Sequence, residues 1–155
     1  MTAHDAPPLA EEAIRGAGLR VTAPRRAAYD ALAGLPHARA DEIFERVRAT
    51  IPGTSLQAVY NVLGDFVDAG LARRIEPSGQ PGLFELRVGD NHHHVVCTSC
   101  GRVDDIDCIV GEAPCLHPAH DTGFRIQVAE VTFWGLCPDC AAAADSRPPS
   151  DPDRP

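Results

Sequence analysis

Two pairs of cysteines, Cys97-x-x-Cys100 and Cys137-x-x-Cys140, are the strongest chemical signal in this chain. Each pair offers two thiolates at the spacing that suits one edge of a tetrahedral metal, and two such pairs complete a four-cysteine zinc site. The 36 residues between Cys100 and Cys137 exceed the gap of a zinc ribbon, so a small β subdomain must fill it. Two unrelated pairs, or one redox couple of the thioredoxin type, are the competing readings. The intervening strands favour structural zinc, which supplies folding energy and no catalysis.

The first pair is preceded by three histidines and followed by acids, in "NHHHVVCTSCGRVDDID" (Asn91–Asp107). Alternate side chains of a strand share a face. His92 and His94 therefore point one way and His93 the other, and two of the three can bind one ion. Further ligands must come from elsewhere, with Glu85, Asp104, Asp105, Asp107 and His37 as candidates. Imidazole and carboxylate together suit Fe(II), Mn(II), Zn(II) or Ni(II) without selecting strongly among them. Cys108 and Cys115 read either as small buried hydrophobes or as a reversible disulfide.

Enzyme chemistry finds little support. The zinc-deaminase pattern needs H-x-E followed by P-C-x-x-C, whereas here the order is Cys-Pro-Asp-Cys and H-x-E is absent. His-Glu-x-x-His is absent too, and no nucleophile motif stands out. The chain is expected not to be an enzyme.

The elements that must position these groups divide into two modules. "LAEEAIRGAG" reads as a short helix, and "VTAPRRAAYDALAGL" as another, with Thr22 as N-cap and Pro24 in its first turn. "ARADEIFERVRATI" follows. In "TSLQAVYNVLGDFVDAGLARRI", Leu56, Val59, Tyr60, Leu63, Phe66 and Val67 form one apolar stripe that Gly70 closes. "LARRI" and "GLFELRV" are short strands around the turn-rich "EPSGQP". Helices followed by a hairpin make a winged helix-turn-helix, with the recognition helix starting near Ser55. The second half is strand-rich: "HHHVVCT", "GRVDDID", a short helix after Pro114, then "FRIQVAEVTFWGL". That last strand is apolar on both faces, as expected at a subunit interface. The fold class is α+β: an N-terminal winged helix-turn-helix domain plus a C-terminal α/β domain with the four-cysteine zinc site. The expected boundaries are 11–86, a hinge at 87–91, and 92–143, with polar, Pro-rich and disordered tails at 1–10 and 144–155.

Charge follows the same division. The formal net charge is −8. Residues 1–89 carry 10 Arg against 11 acids, and residues 90–155 carry 4 Arg against 11, with no Lys anywhere. The first module can host a basic face despite the acidic total, and Arg20, Arg25, Arg26, Arg73 and Arg74 are its candidates. "MTAHDAPPLAEEAIR" lacks the apolar core of a secretion signal, and no apolar run is long enough to span a membrane. A cytoplasmic protein is expected.

The combination resembles the ferric uptake regulator family over about residues 11–143. "LRVTAPRRAAYDAL", "TSLQAVYNVL", "AGLARRI" and "HHHVVCTSCG" carry the resemblance. It implies a homodimeric, metal-activated transcriptional repressor. The N-terminal domain would bind double-stranded DNA at a palindromic operator, and the C-terminal domain would dimerise and carry metals. Position by position it implies a regulatory Fe(II) or Mn(II) site of His37, Glu85, His92, His94 and Asp105, beside structural Zn(II). It brings Arg20 toward the minor groove and Tyr60 and Asn61 near bases, where many members carry Arg instead of Asn61. Arg25, and Ser55 and Gln57 at the helix start, join them as candidate contacts.

The zinc-responsive branch tends to use a cysteine shortly before the histidine pair, and "FELRVGD" has none. Asp105 resembles the peroxide-sensing branch, where iron sensors tend to carry Glu. In that branch bound Fe(II) reacts with hydrogen peroxide and ligand histidines, here His37 and His92, are oxidised. Glu85 stands where that branch usually has Asp. "VGDNHHHVVC" and "DIDCIVGEAPCL" also resemble an actinobacterial group that represses a catalase-peroxidase. The expected function is a peroxide-responsive repressor of defence genes. The alternatives are an iron-level-responsive repressor and a thiol switch through Cys108 and Cys115.

Overall fold

The computed structural model describes residues 9–77, 79–89, 92–107, 123–125 and 130–146. Cys108, Cys115, the helix expected after Pro114 and most of both tails lie outside the described residues. The chain divides into two compact units, Met1–Asp90 and Asn91–Pro155.

The first unit opens with α1 (Ala10–Gly16) and α2 (Ala23–Ala33). Thr22 caps α2 by accepting a hydrogen bond from the Arg25 backbone N–H, and Pro24 sits in the first turn, where no N–H is needed. Next come β1 (Ala38–Arg39), α3 (Ala40–Thr50) and α4 (Leu56–Asp68). Glu42 caps the start of α3 from the Arg39 N–H, and Ser55 caps α4 by accepting from the Ala58 N–H. Gly70 takes φ 68°, the left-handed geometry that ends α4 and sends the chain into the hairpin of β2 (Arg73–Ile75) and β3 (Leu83–Glu85). Ile14, Leu32, Ile43, Val47, Val59, Leu63 and Phe66 form the core, and Tyr29 meets Phe66 edge to face at 6.5 Å.

Two details differ from expectation. The two-residue β1 was not anticipated. It pairs with β3, so the wing is a three-stranded antiparallel sheet in the order β1-β3-β2. Two residues are too few for a periodic signal. The stripe of α4 is also narrower than expected: Val59, Leu63 and Phe66 are buried, but Leu56 and Tyr60 are exposed. Tyr60 lies about 100° around the helix from Val59, and Leu56 is in the first turn, where the core no longer backs it.

The second unit contains β4 (His92–Cys97), β5 (Val103–Asp107) and β6 (Thr132–Gly135), ordered β5-β4-β6. β4 pairs antiparallel with β5 and parallel with β6. α5 (Pro138–Asp145) follows, with Cys137 at its N-cap. It was not anticipated as a helix, and it carries ordered chain two residues into the expected tail, as α1 does by one at Ala10. Phe133, Trp134 and Leu136 around β6 are about half exposed within this chain. Among the described residues no helix is long and apolar enough to cross a membrane.

Candidate metal centres and DNA-facing surface

The two cysteine pairs meet. Cys97 ends β4, Cys100 follows in the turn, and Cys137 and Cys140 flank the start of α5; their sulfurs all lie within 4.8 Å of one another. Gly101, at φ 78°, supplies the left-handed step that folds the first knuckle. The Thr98 N–H donates to the Gly135 carbonyl and ties that knuckle to the strand leading into the second. Four sulfurs about 2.3 Å from a tetrahedral zinc are about 3.8 Å apart. Cys100 Sγ and Cys137 Sγ are 3.8 Å apart. The donor set therefore fits zinc.

The cluster's electrostatics point the same way. Backbone N–H groups, chiefly those of Cys100 and Cys137, lower the Cys97 thiol to about 6. Although the Ser99 hydroxyl acts to lower it, Cys140 is pushed up to about 12 by the Cys137 and Cys100 thiols around it. Four sulfurs this close cannot all be anionic without a cation among them.

The candidate regulatory donors form one group in each unit. In the first unit, His37 Nε2 lies 3.1 Å from Glu85 Oε2, and both side chains are buried. His37 immediately precedes β1 and is the one non-glycine residue at positive φ (58°) among the described residues. Arg73 lies directly across the ladder from Glu85 and reaches its other oxygen, Oε1, through Nε at 2.7 Å and an η nitrogen at 2.6 Å.

In the second unit, His92 and His94 share a face of β4, their rings 5.0 Å apart. Asp105 is the register partner of His94 on β5. Its Oδ1 lies 3.8 Å from His92 Nε2 and 3.6 Å from His94 Nε2. Donors about 2.1 Å from one ion, at angles between 90° and tetrahedral, are roughly 3.0–3.5 Å apart. His37 and Glu85 have that spacing, the second group is a few tenths of an ångström wider, and the chemistry of both suits Fe(II) or Mn(II). Asp104 projects from the opposite face of β5 and pairs with Arg102, and Asp107 lies opposite His92. His93, which points the other way along β4, is buried with its ring 6.2 Å from that of Phe133.

The DNA candidates sort differently. Arg20, Ser55, Gln57, Tyr60 and Asn61 are exposed, the last four on or at the start of α4, with Gln57 Nε2 donating to Asn61 Oδ1. Arg25 is engaged: it pairs with Asp65 at 2.6 Å and donates to the Arg20 carbonyl, linking α2 to α4. Arg73, read from sequence as part of the basic face, faces Glu85 instead. No local signal could have shown this, because the contact depends on hairpin register.

The family model described as "Ferric uptake regulator family" matches residues 16–134. The chain belongs to that family. Its members are dimeric, DNA-binding, metal-responsive transcriptional regulators rather than enzymes. Transcriptional regulator FurA of Mycobacterium tuberculosis is 53% identical over 136 residues, spanning 88% of this chain and 92% of that protein. Ferric uptake regulation protein 1 of Mycolicibacterium fortuitum is 51% identical, over 78% of this chain and 75% of that one. The crystal structure of the Vibrio cholerae ferric uptake regulator superposes with TM-score 0.59 at 26% identity, covering 82% and 98% of the two chains.

Proposed function

We propose that this ferric uptake regulator family member is a metal-dependent repressor that reports iron level. The carrying observation is that each unit holds its own group of imidazole and carboxylate donors: His37 with Glu85, and His92 and His94 with Asp105. Neither group saturates an octahedral ion alone. A divalent ion held by all five would tie the winged helix (11–86) to the dimerisation domain (92–143) in one orientation. The exposed face of α4, with Gln57, Tyr60 and Asn61, then enters the major groove, and Arg20 reaches the backbone or minor groove. In a homodimer the two α4 helices meet two half-sites of a palindromic operator. Cys97, Cys100, Cys137 and Cys140 hold structural zinc, and the protein works in the cytoplasm.

The iron-level reading replaces the expected peroxide response as the main proposal because the similar relatives carry ferric-uptake names. The test is binding to a labelled fragment of the protein's own upstream DNA. Mn(II) should promote binding, a chelator that spares the zinc should abolish it, and His92→Ala should bind weakly with or without metal. Metal-independent binding by the unaltered protein would end the proposal.

Asp105 supports peroxide sensing as a second reading. It predicts one-oxygen adducts on His37 or His92 after Fe(II)-loaded protein meets a brief peroxide pulse, and none with Mn(II). Histidines left unmodified in peptide mass spectrometry would leave the iron-level reading alone.

A further inference from the structure

The salt bridge on Glu85 carries an inference about how the regulatory site is tuned. It rests on the proposal above that His37 and Glu85 are metal donors. Glu85 is among the most buried side chains of the protein, at 1% exposure. An ionised carboxylate there needs a counter-charge. The Arg73 guanidinium meets Oε1 through Nε and an η nitrogen, while Oε2 faces His37 Nε2. One oxygen is thus held by a permanent cation and the other is left toward the imidazole.

We propose that Arg73 is a positioning residue that sets the metal threshold of the regulatory site. By occupying Oε1 it leaves Glu85 a one-oxygen donor. By neutralising the carboxylate it stabilises the metal-free protein, and its charge opposes any cation taken up at Oε2. Both charge effects lower metal affinity. The opposing effect, loss of Glu85 orientation when Arg73 is removed, is small because Glu85 stays enclosed on β3 and His37 still contacts it. Arg73 thus keeps the repressor empty until the metal supply is sufficient.

The test is titration of zinc-loaded, full-length protein with Mn(II), followed by calorimetry, alongside thermal unfolding with and without Mn(II). Arg73→Gln should bind Mn(II) about tenfold more tightly, because the guanidinium no longer opposes the incoming cation beside the buried carboxylate. Its metal-free unfolding midpoint should fall and saturating Mn(II) should restore it. Arg73→Lys, which keeps the charge, should stay within about threefold of the unaltered protein. Unchanged or weaker Mn(II) binding by Arg73→Gln overturns the proposal. If that variant does not fold, the double variant Arg73→Gln/Glu85→Gln removes the buried carboxylate together with the guanidinium and is compared with Glu85→Gln alone. Tighter binding by the double variant supports the role of the guanidinium, and equal or weaker binding overturns it. Glu85→Gln by itself tests the underlying site: if it binds Mn(II) as well as the unaltered protein does, Glu85 is not a donor and the site assignment falls first.

Discussion

At the scale of single residues, the four cysteines illustrate how one donor type acquires different chemistry from its surroundings. Cys97 sits among backbone N–H groups and Cys140 among other sulfurs, which separates their thiols to about 6 and about 12. At neutral pH Cys97 is therefore mostly thiolate and Cys140 remains a thiol. Zinc binding should then release fewer than four protons at pH 7.5, and roughly one more at pH 5, where Cys97 is protonated as well. Calorimetry in buffers of different ionisation enthalpy counts them; four protons at both pH values would mean the cluster is not preorganised. Both knuckles were legible because Cys-x-x-Cys is a local pattern. The separation of the thiols was not, because it depends on what the fold packs around each sulfur.

At the scale of elements, α4 must present one face to the core and another to DNA. Its inner face rests on Val59, Leu63 and Phe66, and its start depends on the Ser55 cap. Leu63→Ala should cost about 2–5 kcal/mol in urea unfolding. Ser55→Ala should cost about 1 kcal/mol. If the two cost the same, α4 is not anchored by its apolar face. The helix, its start near Ser55 and its Gly70 terminus were readable from residue types and a 3.6-residue period. That Leu56 and Tyr60 turn outward was not, because their exposure depends on where the neighbouring helices end. The wing shows the same limit: β1 exists because β3 offers it an edge, and two residues leave no pattern of their own.

At the scale of the whole molecule, charge and apolar surface set the terms of association. The acidic excess lies almost entirely in residues 90–155, so the arginines of the first unit act against a net charge of −8. Nonspecific DNA binding should be weak, and operator affinity should fall steeply, log-linearly, with salt. Salt-independent affinity in a titration between roughly 50 and 200 mM would exclude phosphate contacts as the main source of binding. The half-exposed Phe133, Trp134 and Leu136 match the apolar strand that the sequence placed at a subunit interface, and the family's dimeric habit provides the occupant. Leu136→Glu should shift the protein toward monomer in sedimentation; an unchanged dimer would place the interface elsewhere.

The sequence by itself determined the two-module order, the zinc knuckles, the shared face of His92 and His94, and the Thr22 cap of α2. Each of these follows from residue type and short-range period. Only the tertiary structure decided what holds Glu85 and which arginines are left for DNA. Arg73 was drawn to Glu85 by the β2–β3 register, and Arg25 was taken by Asp65 across two packed helices. Register and packing are fixed by the burial of whole elements, so they cannot be read from any single stretch of chain.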